Sequence, residues 1–380
     1  MDFSLTKEQT ELKNQAIDFA KQKLNKDIIE RDRLSEFSRQ KWLECAEFGV
    51  QGLLIPEQYG GMGLDILTAV LVMEGLGYGC KDNGLLLSIN VNIWNCEIPI
   101  LRFGTKAQKQ KYLPGLCNGS LIGAYGMTEP DSGSDAFSLR TTAVRQGESY
   151  VLNGTKTLIT NAPIADLIVI FAKIPQQQGK DKISCFIVEK ESPGLSLGKK
   201  IDKMGLRTSP FGEVVFQDCT VAKEMLLGKE GQGDVIFNDA LAEERAFILA
   251  SQVGAMERQL EECINYAKAR RQFNKKIFDF QSVSNMLADM KVRLETSRLM
   301  VYKVAWLRQQ KKRAFMESSM AKLYISECSI QNSISAVRIH GGYGYTTEFE
   351  HERQLRDAMG GILYSGTSEI QRNIIAELLD

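Results

Sequence analysis

The sequence has almost no histidine and no net charge, and these two absences exclude several classes of protein. Its 380 residues include only two histidines, His340 and His351, so we expect no metal site and no catalytic centre built on several imidazoles. Lys and Arg together number 47, as do Asp and Glu, which leaves a net charge of zero. A balanced chain offers no electrostatic reason to bind nucleic acid or an anionic membrane surface.

Clustered cysteines and long apolar runs are also missing. The eight cysteines are scattered and include no C-x-x-C pair, so we expect reduced, mostly buried thiols of a cytosolic protein. The first residues are polar and mixed in charge, unlike a signal peptide. Apolar stretches such as 84–92 are shorter than the ~20 residues of a membrane span. The predicted localisation is therefore cytoplasmic.

The chain begins with a helical pattern. Through residues 1–118 apolar side chains recur at about 3.6-residue spacing, with a first helix expected to begin near Ser4. Further helices are predicted over about 41–48, 66–78 and 85–103. This first stretch is therefore predicted to be an α-helical domain.

The middle of the chain, 119–235, changes to the pattern of short strands. β-branched runs at 166–173 and 183–188 predict two of them. The dipeptide Asn153-Gly154 is typical of a two-residue hairpin turn, and we expect a turn there. The stretch is therefore predicted to be a β-domain.

Helical periodicity returns over 236–380. Long patterns predict helices over about 235–270, 280–309 and 315–339, followed by a Gly-rich break and a last helix. The whole is predicted to be an α+β protein of three domains. Ligands prefer the junctions between domains, so we expect the site where the β-domain meets the C-terminal helices.

Three polar segments could hold a flat, charged ligand, although each also has an ordinary structural explanation. Segment 125–135 offers hydroxyls and backbone amides, or is simply a capped turn. In the next segment Thr160 could bond a ring nitrogen and Leu158 could cover a ring face, or both could be ordinary strand residues. Two arginines within 269–273 could grip a pyrophosphate or merely complement a helix dipole.

Two further segments could carry acid–base chemistry or bind an anion. Glu243 and Glu244 differ by about 100° around a helix, so at most one faces a given cleft well, and the sequence leaves open which one. An inward carboxylate would be desolvated and more basic. Near the C-terminus, Thr367 or Ser368 would cap the last helix, where exposed amides could also meet an anion or a carbonyl oxygen.

Taken together and in this order, these segments resemble the acyl-CoA dehydrogenase family of flavoproteins. The resemblance covers essentially the whole chain and implies a helical N-terminal domain, a middle β-domain and a C-terminal four-helix bundle. It rests on six motifs, which are MTEPDSGSD (127–135), ITN (159–161), ARRQF (269–273), GGYGY (341–345), RDA (356–358) and GTSEIQR (366–372).

The resemblance implies FAD as the cofactor. The positions that match the family's cofactor site are Tyr125, Met127, Thr128, Gly133, Ser134, Leu158, Ile159, Thr160, Arg270, Gln272, Phe273, Gln281, Arg338, Gly341, Gly342, Thr367 and Glu369. Of these, Arg270, Gln272 and Phe273 would meet the FAD of a neighbouring subunit, which implies at least a dimer and commonly a homotetramer. The positions that match the substrate site are Ser134, Leu241, Arg245, Tyr364, Ser365 and Gly366.

The catalytic base departs from the common family pattern. Most relatives carry a glutamate just before the GTS triplet, where this chain has Ser365. A hydroxyl cannot serve as the base near neutral pH. A minority, similar to the isovaleryl-type enzymes, place the base before the arginine of an E-R pair on another helix, which is Glu244 here. The resemblance therefore implies Glu244 as the base, with Arg245 orienting the surrounding loops.

Three positions together resemble the prolyl-carrier-protein dehydrogenases and oxidases of natural-product pathways. They are Glu244, Ser365, and Ala242 at a position where CoA-using relatives usually have an aspartate. The resemblance predicts FAD-dependent oxidation of a prolyl thioester held on a carrier protein, with electrons passing to an electron-transfer flavoprotein or to O2. The alternatives are a branched short-chain acyl-CoA dehydrogenase and, in another class, a non-catalytic flavoprotein scaffold.

Overall fold

The computed structural model describes residues 4–176 and 178–379, and its first part is helical as predicted. The helices before the sheet are α1 (Lys7–Lys23), α2 (Ile28–Leu34), α3 (Arg39–Phe48), α4 (Ile66–Gly79), α5 (Asn83–Asn90), α6 (Ile98–Phe103) and α7 (Lys106–Cys117). Helix α1 begins after Thr6 and not near Ser4. The reason is a capping box, in which Thr6 Oγ1 accepts from the Gln9 N–H and Gln9 Oε1 accepts from the Thr6 N–H, both at 3.1 Å.

Helices α5 and α6 are joined by a π-helical segment, Val91–Glu97, into one continuous apolar rod. The prediction that no apolar stretch approaches a membrane span was therefore wrong by length and composition, since helix 83–103 meets both criteria. However, 83% of its most apolar window is buried inside the protein, as in a core helix. The sequence analysis predicted this helix but counted its apolar stretch as too short, because polar residues such as Asn90 and Asn92 interrupt the stretch.

The middle of the chain forms one twisted sheet of eight strands. The strands are β1 (Gly123–Gly126), β2 (Thr142–Gln146), β3 (Ser149–Thr160), β4 (Leu167–Ile174), β5 (Lys182–Glu189), β6 (Leu195–Lys200), β7 (Phe211–Ala222) and β8 (Leu226–Leu227). Their order is β6-β7-β3-β2-β4-β5-β8, and β1 pairs in parallel with β4. This pairing carries the segment that follows β1 to one end of the sheet.

The predicted hairpin turn at Asn153-Gly154 was wrong. Both residues lie inside β3, and the turn between β2 and β3 falls at 147–148. Asn153 bonds across to Asp218 of β7 in both directions, at 2.8 and 3.1 Å. Gly154 occupies a shift in the β3–β7 register, where an added Cβ would lie 2.4 Å from Thr141 Oγ1. The dipeptide therefore serves a bulge, not a turn.

The C-terminal part is a bundle of four long helices followed by two short ones. They are α8 (Gly233–Phe247), α9 (Ala250–Ala269), α10 (Gln281–Gln309), α11 (Phe315–His340), α12 (His351–Gly361) and α13 (Ser368–Glu377). The small strands β9 (Arg271–Gln272) and β10 (Lys275–Lys276) form a hairpin between α9 and α10. The prediction of one continuous helix over 235–270 was wrong, because the helix is interrupted between α8 and α9. Leu249 stays close to helical backbone angles, so the periodicity carries across the break.

The helices and the sheet confirm the α+β fold class, and the buried residues show that the two helical domains share one hydrophobic core. One hydrophobic core runs through the N-terminal and C-terminal helices together, with α4 packed against α1, α9 and α10. A second core fills the sheet, and a third lies between the sheet and α6, α7 and α8. All eight cysteines are buried and unpaired. Helix α8 therefore faces both the sheet and the shared helical core.

Candidate active site

Glu244 is buried on α8 and makes one strong hydrogen bond. Glu244 is only 3% exposed, and Ser365 Oγ donates a hydrogen bond to Glu244 Oε1 at 2.5 Å. The other oxygen, Oε2, has no partner among the described residues. Burial raises the pKa of Glu244, while the Ser365 hydrogen bond and the charge of Arg245 oppose the rise. A carboxyl group with one fixed and one free oxygen suits a general base.

Glu243, the other acid of the pair, points to a different partner. Arg102 Nη2 donates to Glu243 Oε2 at 2.6 Å, and Arg308 Nε donates to Glu243 Oε1 at 2.7 Å. Both carboxylate oxygens are therefore occupied by guanidinium groups. The structure thus resolves what the sequence left open, because Glu243 joins α8 to α6 and α10 while Glu244 faces Ser365.

The loop after α12 brings Ser365 to Glu244. Ser365 and Gly366 both have left-handed backbone angles, with φ of 59° and 88°. Gln371 Nε2 donates to both of their carbonyl oxygens at 3.0 Å. Of the two candidate caps for α13, Thr367 is the one that accepts, from the Ile370 N–H, while Ser368 bonds Glu327 instead. In the described chain the Ser365 N–H makes no backbone hydrogen bond and is available to a carbonyl oxygen.

Other polar groups near Glu244 are buried and also lack partners. The orphaned atoms among the described residues include Tyr125 Oη, Arg245 Nε and Lys322 Nζ. Burial lowers the pKa of Lys322 to about 8, although the charge of Glu244 opposes this. Tyr364 differs, since its hydroxyl accepts from Gln252 Nε2 at 2.9 Å. Sequence reasoning missed Lys322, because a lone lysine within a helical pattern gives no signal of burial.

Segment 127–135 is anchored by a buried ion pair that the sequence did not reveal. Lys156 Nζ lies 2.7 Å from Glu129 Oε1, and Lys156 is fully buried. Although burial acts against it, hydrogen bonds from Lys156 and Thr141 lower the pKa of Glu129. The backbone N–H of Arg140 also donates to Glu129 Oε2 at 2.5 Å. The segment is therefore a loop fixed in place by the contacts of Glu129, and not only a capped turn.

The surface beside this loop fits a polar, flat cofactor. The hydroxyls of Thr128, Ser134 and Thr160 make no hydrogen bond within the described chain. Leu158 has a φ of 58° and is 52% exposed at the end of β3. A Cβ added at Gly133 would meet nothing within 4 Å. Free hydroxyls and an uncovered apolar side chain are what the edge and the face of such a ring require.

The predicted cofactor residues of the C-terminal domain lie largely on its surface, whereas Met127 and Ile159 of the middle domain are buried. Arg270, Gln272 and Phe273 belong to the end of α9 and the β9–β10 hairpin, where Phe273 is 89% exposed. Gln281 is the first residue of α10. Arg338 lies near the end of α11, with Gly341 and Gly342 directly after it. Thr367 precedes α13 and Glu369 lies in its first turn. Such exposure agrees with a site shared between subunits. Their contacts with FAD stay a prediction.

Comparison with family models gives three consecutive matches. They are acyl-CoA dehydrogenase, N-terminal domain (residues 6–120), middle domain (124–219) and C-terminal domain (231–379). The predicted limits at 118 and 235 stay predictions. The matches confirm the predicted fold and the predicted class of oxidoreductase.

Curated proteins of two substrate classes are similar to the chain. An L-prolyl-(peptidyl-carrier protein) dehydrogenase of Pseudomonas fluorescens is 42% identical over 344 residues, covering 90% of each chain. A short-chain specific acyl-CoA dehydrogenase of Megasphaera elsdenii is 38% identical over 375 residues, covering 98% of this chain and 97% of that protein.

Two solved structures are similar over nearly the full length. The prolyl acyl carrier protein oxidase AnaB is 49% identical, with a TM-score of 0.97 and coverage of 99% of this chain and 100% of AnaB. PigA, solved with FAD and proline, is 39% identical, with a TM-score of 0.97 and coverage of 100% and 99%. With three family models spanning almost every residue, the chain belongs to the acyl-CoA dehydrogenase family.

Proposed function

We propose that the chain is a FAD-dependent dehydrogenase or oxidase that desaturates the α,β bond of a prolyl group held as a thioester on a peptidyl carrier protein. The observation that carries this proposal is the buried Glu244 carboxyl group, hydrogen-bonded by Ser365 where most relatives have their own base. The free hydroxyls beside segment 127–135, together with the FAD-bound PigA, support FAD as the cofactor.

In this proposal Glu244 removes a proton from the substrate, and Ser365 orients Glu244 and binds the thioester oxygen. Glu244 Oε2, which is free, takes the proton from the α-carbon, and Ser365 Oγ holds the other oxygen so that the carboxyl keeps one orientation. A positioned general base is typically worth ~10²–10⁴-fold in rate. The Ser365 N–H donates to the thioester oxygen as negative charge develops there. FAD, when bound, supplies the acceptor for the β-hydride.

The names of the relatives and the residues beside Glu244 favour a carrier-bound prolyl group. AnaB and the Pseudomonas protein are named for prolyl groups on carrier proteins. Ala242, buried on α8, replaces the aspartate that CoA-using relatives usually have. The second candidate is a branched short-chain acyl-CoA dehydrogenase, which the similarity to the Megasphaera enzyme favours. The third candidate, a flavoprotein scaffold without catalysis, is disfavoured because Glu244 is buried with one oxygen bonded by Ser365 and the other free to take a proton.

Assembly, electron acceptor and location belong to the same proposal. The exposed Phe273 and its neighbours Arg270 and Gln272 support a homotetramer in which each FAD site is completed by a second subunit. Electrons leave to an electron-transfer flavoprotein or to O2, and the enzyme works in the cytoplasm. Mass measurement of the native holoprotein tests the first point, and oxygen consumption during turnover separates the two acceptors.

The experiment that tests the proposal is flavin reduction by Glu244→Gln. We expect the variant to purify yellow but to reduce its flavin at least ~10²-fold more slowly with prolyl thioester, because the base is lost. The matched control is Glu97→Gln. Glu97 is also fully buried, and its Oε1 accepts from Asn92 Nδ2 at 2.6 Å, an acceptor that the glutamine amide oxygen retains, so the rate should be unchanged.

The same assay separates the two substrate classes. Prolyl-loaded carrier protein and isovaleryl-CoA are offered side by side to the wild-type holoenzyme. Faster reduction by the CoA ester would overturn the carrier assignment. Absence of reduction by either thioester, with FAD bound, would favour the scaffold.

A further inference from the structure

Buried polar atoms without partners surround Glu244. Among the described residues, Tyr125 Oη, Glu244 Oε2, Arg245 Nε and Lys322 Nζ are all inaccessible and unbonded. Glu244, Arg245 and Lys322 are 3%, 8% and 0% exposed. Native proteins rarely leave several buried polar groups unsatisfied in one place. The cluster therefore indicates a ligand that brings hydrogen-bonding atoms of its own.

The packing places Tyr125 beside the face of α8 that carries Glu244. Phe237 and Glu244 are seven residues apart on α8, two helical turns, and so lie on one face. The ring of Phe237 packs edge-on against Phe171 at 5.8 Å, and Phe171 packs against Tyr125 at 5.3 Å. The charges of Glu244 and Arg245 both act on the Tyr125 hydroxyl. Tyr125 thus approaches Glu244 from the sheet.

Lys322 comes to the same cluster from another helix of the bundle. It lies on α11, which packs against α8, and its charge acts on Glu244 and Arg245. The cluster therefore holds two basic groups and one carboxyl, and the charge of Glu244 also acts on the phenol of Tyr364. Two cations disfavour a charged ammonium group on the ligand, whereas an uncharged amine can accept a hydrogen bond through its lone pair.

We propose that the Tyr125 hydroxyl determines specificity by donating a hydrogen bond to the uncharged ring nitrogen of a cyclic aminoacyl group. This inference rests on the proposed function. It assigns the hydroxyl of Tyr125, a residue that the resemblance matched to the cofactor site, to the substrate, as the group that separates a prolyl group from a carbocyclic group of the same shape. An acyl group without the nitrogen would leave the hydroxyl buried and unpaired. Sites built to bond a polar substrate atom reject analogues that lack it.

The test compares prolyl and cyclopentanecarbonyl thioesters, loaded on one carrier protein, as reductants of the flavin in wild-type and Tyr125→Phe holoenzyme. The ring nitrogen also changes the acidity of the α-proton, so the informative quantity is the change in the prolyl-to-carbocycle rate ratio between the two proteins. We expect this ratio to fall about tenfold or more in Tyr125→Phe.

The matched control is Tyr112→Phe. Tyr112 is a buried tyrosine of α7 whose hydroxyl bonds Glu189 Oε1 at 3.0 Å, so its loss should leave the ratio unchanged. A ratio that stays within twofold in Tyr125→Phe overturns the inference and leaves the proposed function standing. Absence of flavin reduction by the prolyl thioester, together with reduction by isovaleryl-CoA, overturns both.

A second measurement needs no variant and covers the case in which Tyr125→Phe fails to fold. The unreactive amide analogues, prolyl and cyclopentanecarbonyl pantetheine amides, are titrated into wild-type holoenzyme. We expect the prolyl amide to bind about tenfold more tightly, because only its ring offers a nitrogen to the hydroxyl. Equal affinities, or tighter binding of the carbocycle, would overturn the inference.

Discussion

At the residue scale, Glu244 acquires its basicity from two opposing influences that the structure separates. Burial raises its pKa, and the hydrogen bond from Ser365 lowers it. A base works best with a pKa near the working pH, and these two influences act on that pKa in opposite directions. Under the proposed function, Ser365, which is unable to act as the base itself, adjusts the pKa of Glu244 on another helix.

Ser365→Ala should therefore change the pH dependence of the reaction. Without the donated hydrogen bond the pKa of Glu244 rises further, so the rate begins to increase at a higher pH than in the wild type. The rate of flavin reduction measured from pH 5 to 9 gives the profile. Ser368→Ala is the control. It removes a hydroxyl at the start of α13 that bonds Glu327, and it should leave the profile unchanged. An unshifted profile in Ser365→Ala would mean that the bond does not adjust the base.

At the element scale, local signals predicted helices well and turns poorly. Asn153-Gly154 has the composition of a hairpin turn, but the pairing of β3 with β7 places it in a bulge. The start of α1 was also displaced, from Ser4 to the reciprocal cap of Thr6 and Gln9. In both places a specific hydrogen-bonding partner, distant in one case and three residues away in the other, decided the outcome.

Removing the cap of α1 should cost a measurable amount of stability. Thr6→Ala deletes the side-chain acceptor for the Gln9 N–H, and such caps are typically worth ~1 kcal/mol. Chemical denaturation should show a lower midpoint with an unchanged slope. Thr10→Ala is the matched control, because its hydroxyl only bonds back to the Thr6 carbonyl within the exposed helix. Equal midpoints for Thr6→Ala and Thr10→Ala would contradict the role of the cap.

At the scale of the whole molecule, the two histidines join the helical bundle to its last helices. His340 Nε2 and His351 Nε2 lie 3.1 Å apart in the interior, between α11 and α12. Burial lowers the pKa of both, and lowers that of His351 to about 4. Two neutral rings can share a proton between those nitrogens, whereas two charged rings would repel.

This pair should make the native state sensitive to mild acid. The pKa of His351 is near 6.5 when unfolded and about 4 when folded, so the unfolded chain binds more protons between those values. The stabilisation by the neutral pair is complete above pH 6.5 and is lost as the pH falls towards 4. Melting temperatures at pH 7 and 5 should show a decrease, and His351→Gln should reduce that decrease. An equal decrease in both proteins would exclude the pair as its source.

The sequence by itself determined the class of fold and the order of its three parts, and it predicted Glu244 as the base. Helical and strand periods depend on local spacing, and the motifs from 127–135 to 366–372 are contiguous, so both can be read without coordinates. The E-R pair, with Ser365 in place of the usual glutamate, predicts Glu244 as the base through the family resemblance, and this stays a prediction.

Only the tertiary structure decided which way Glu243 and Glu244 point, that Lys156 and Lys322 are buried, and that Tyr125 is left without a partner. These properties depend on contacts between residues far apart in the chain, such as Glu244 with Ser365. Burial and pairing are set by which elements pack together. A pattern of neighbouring residues contains no information about that until the helices and the sheet meet.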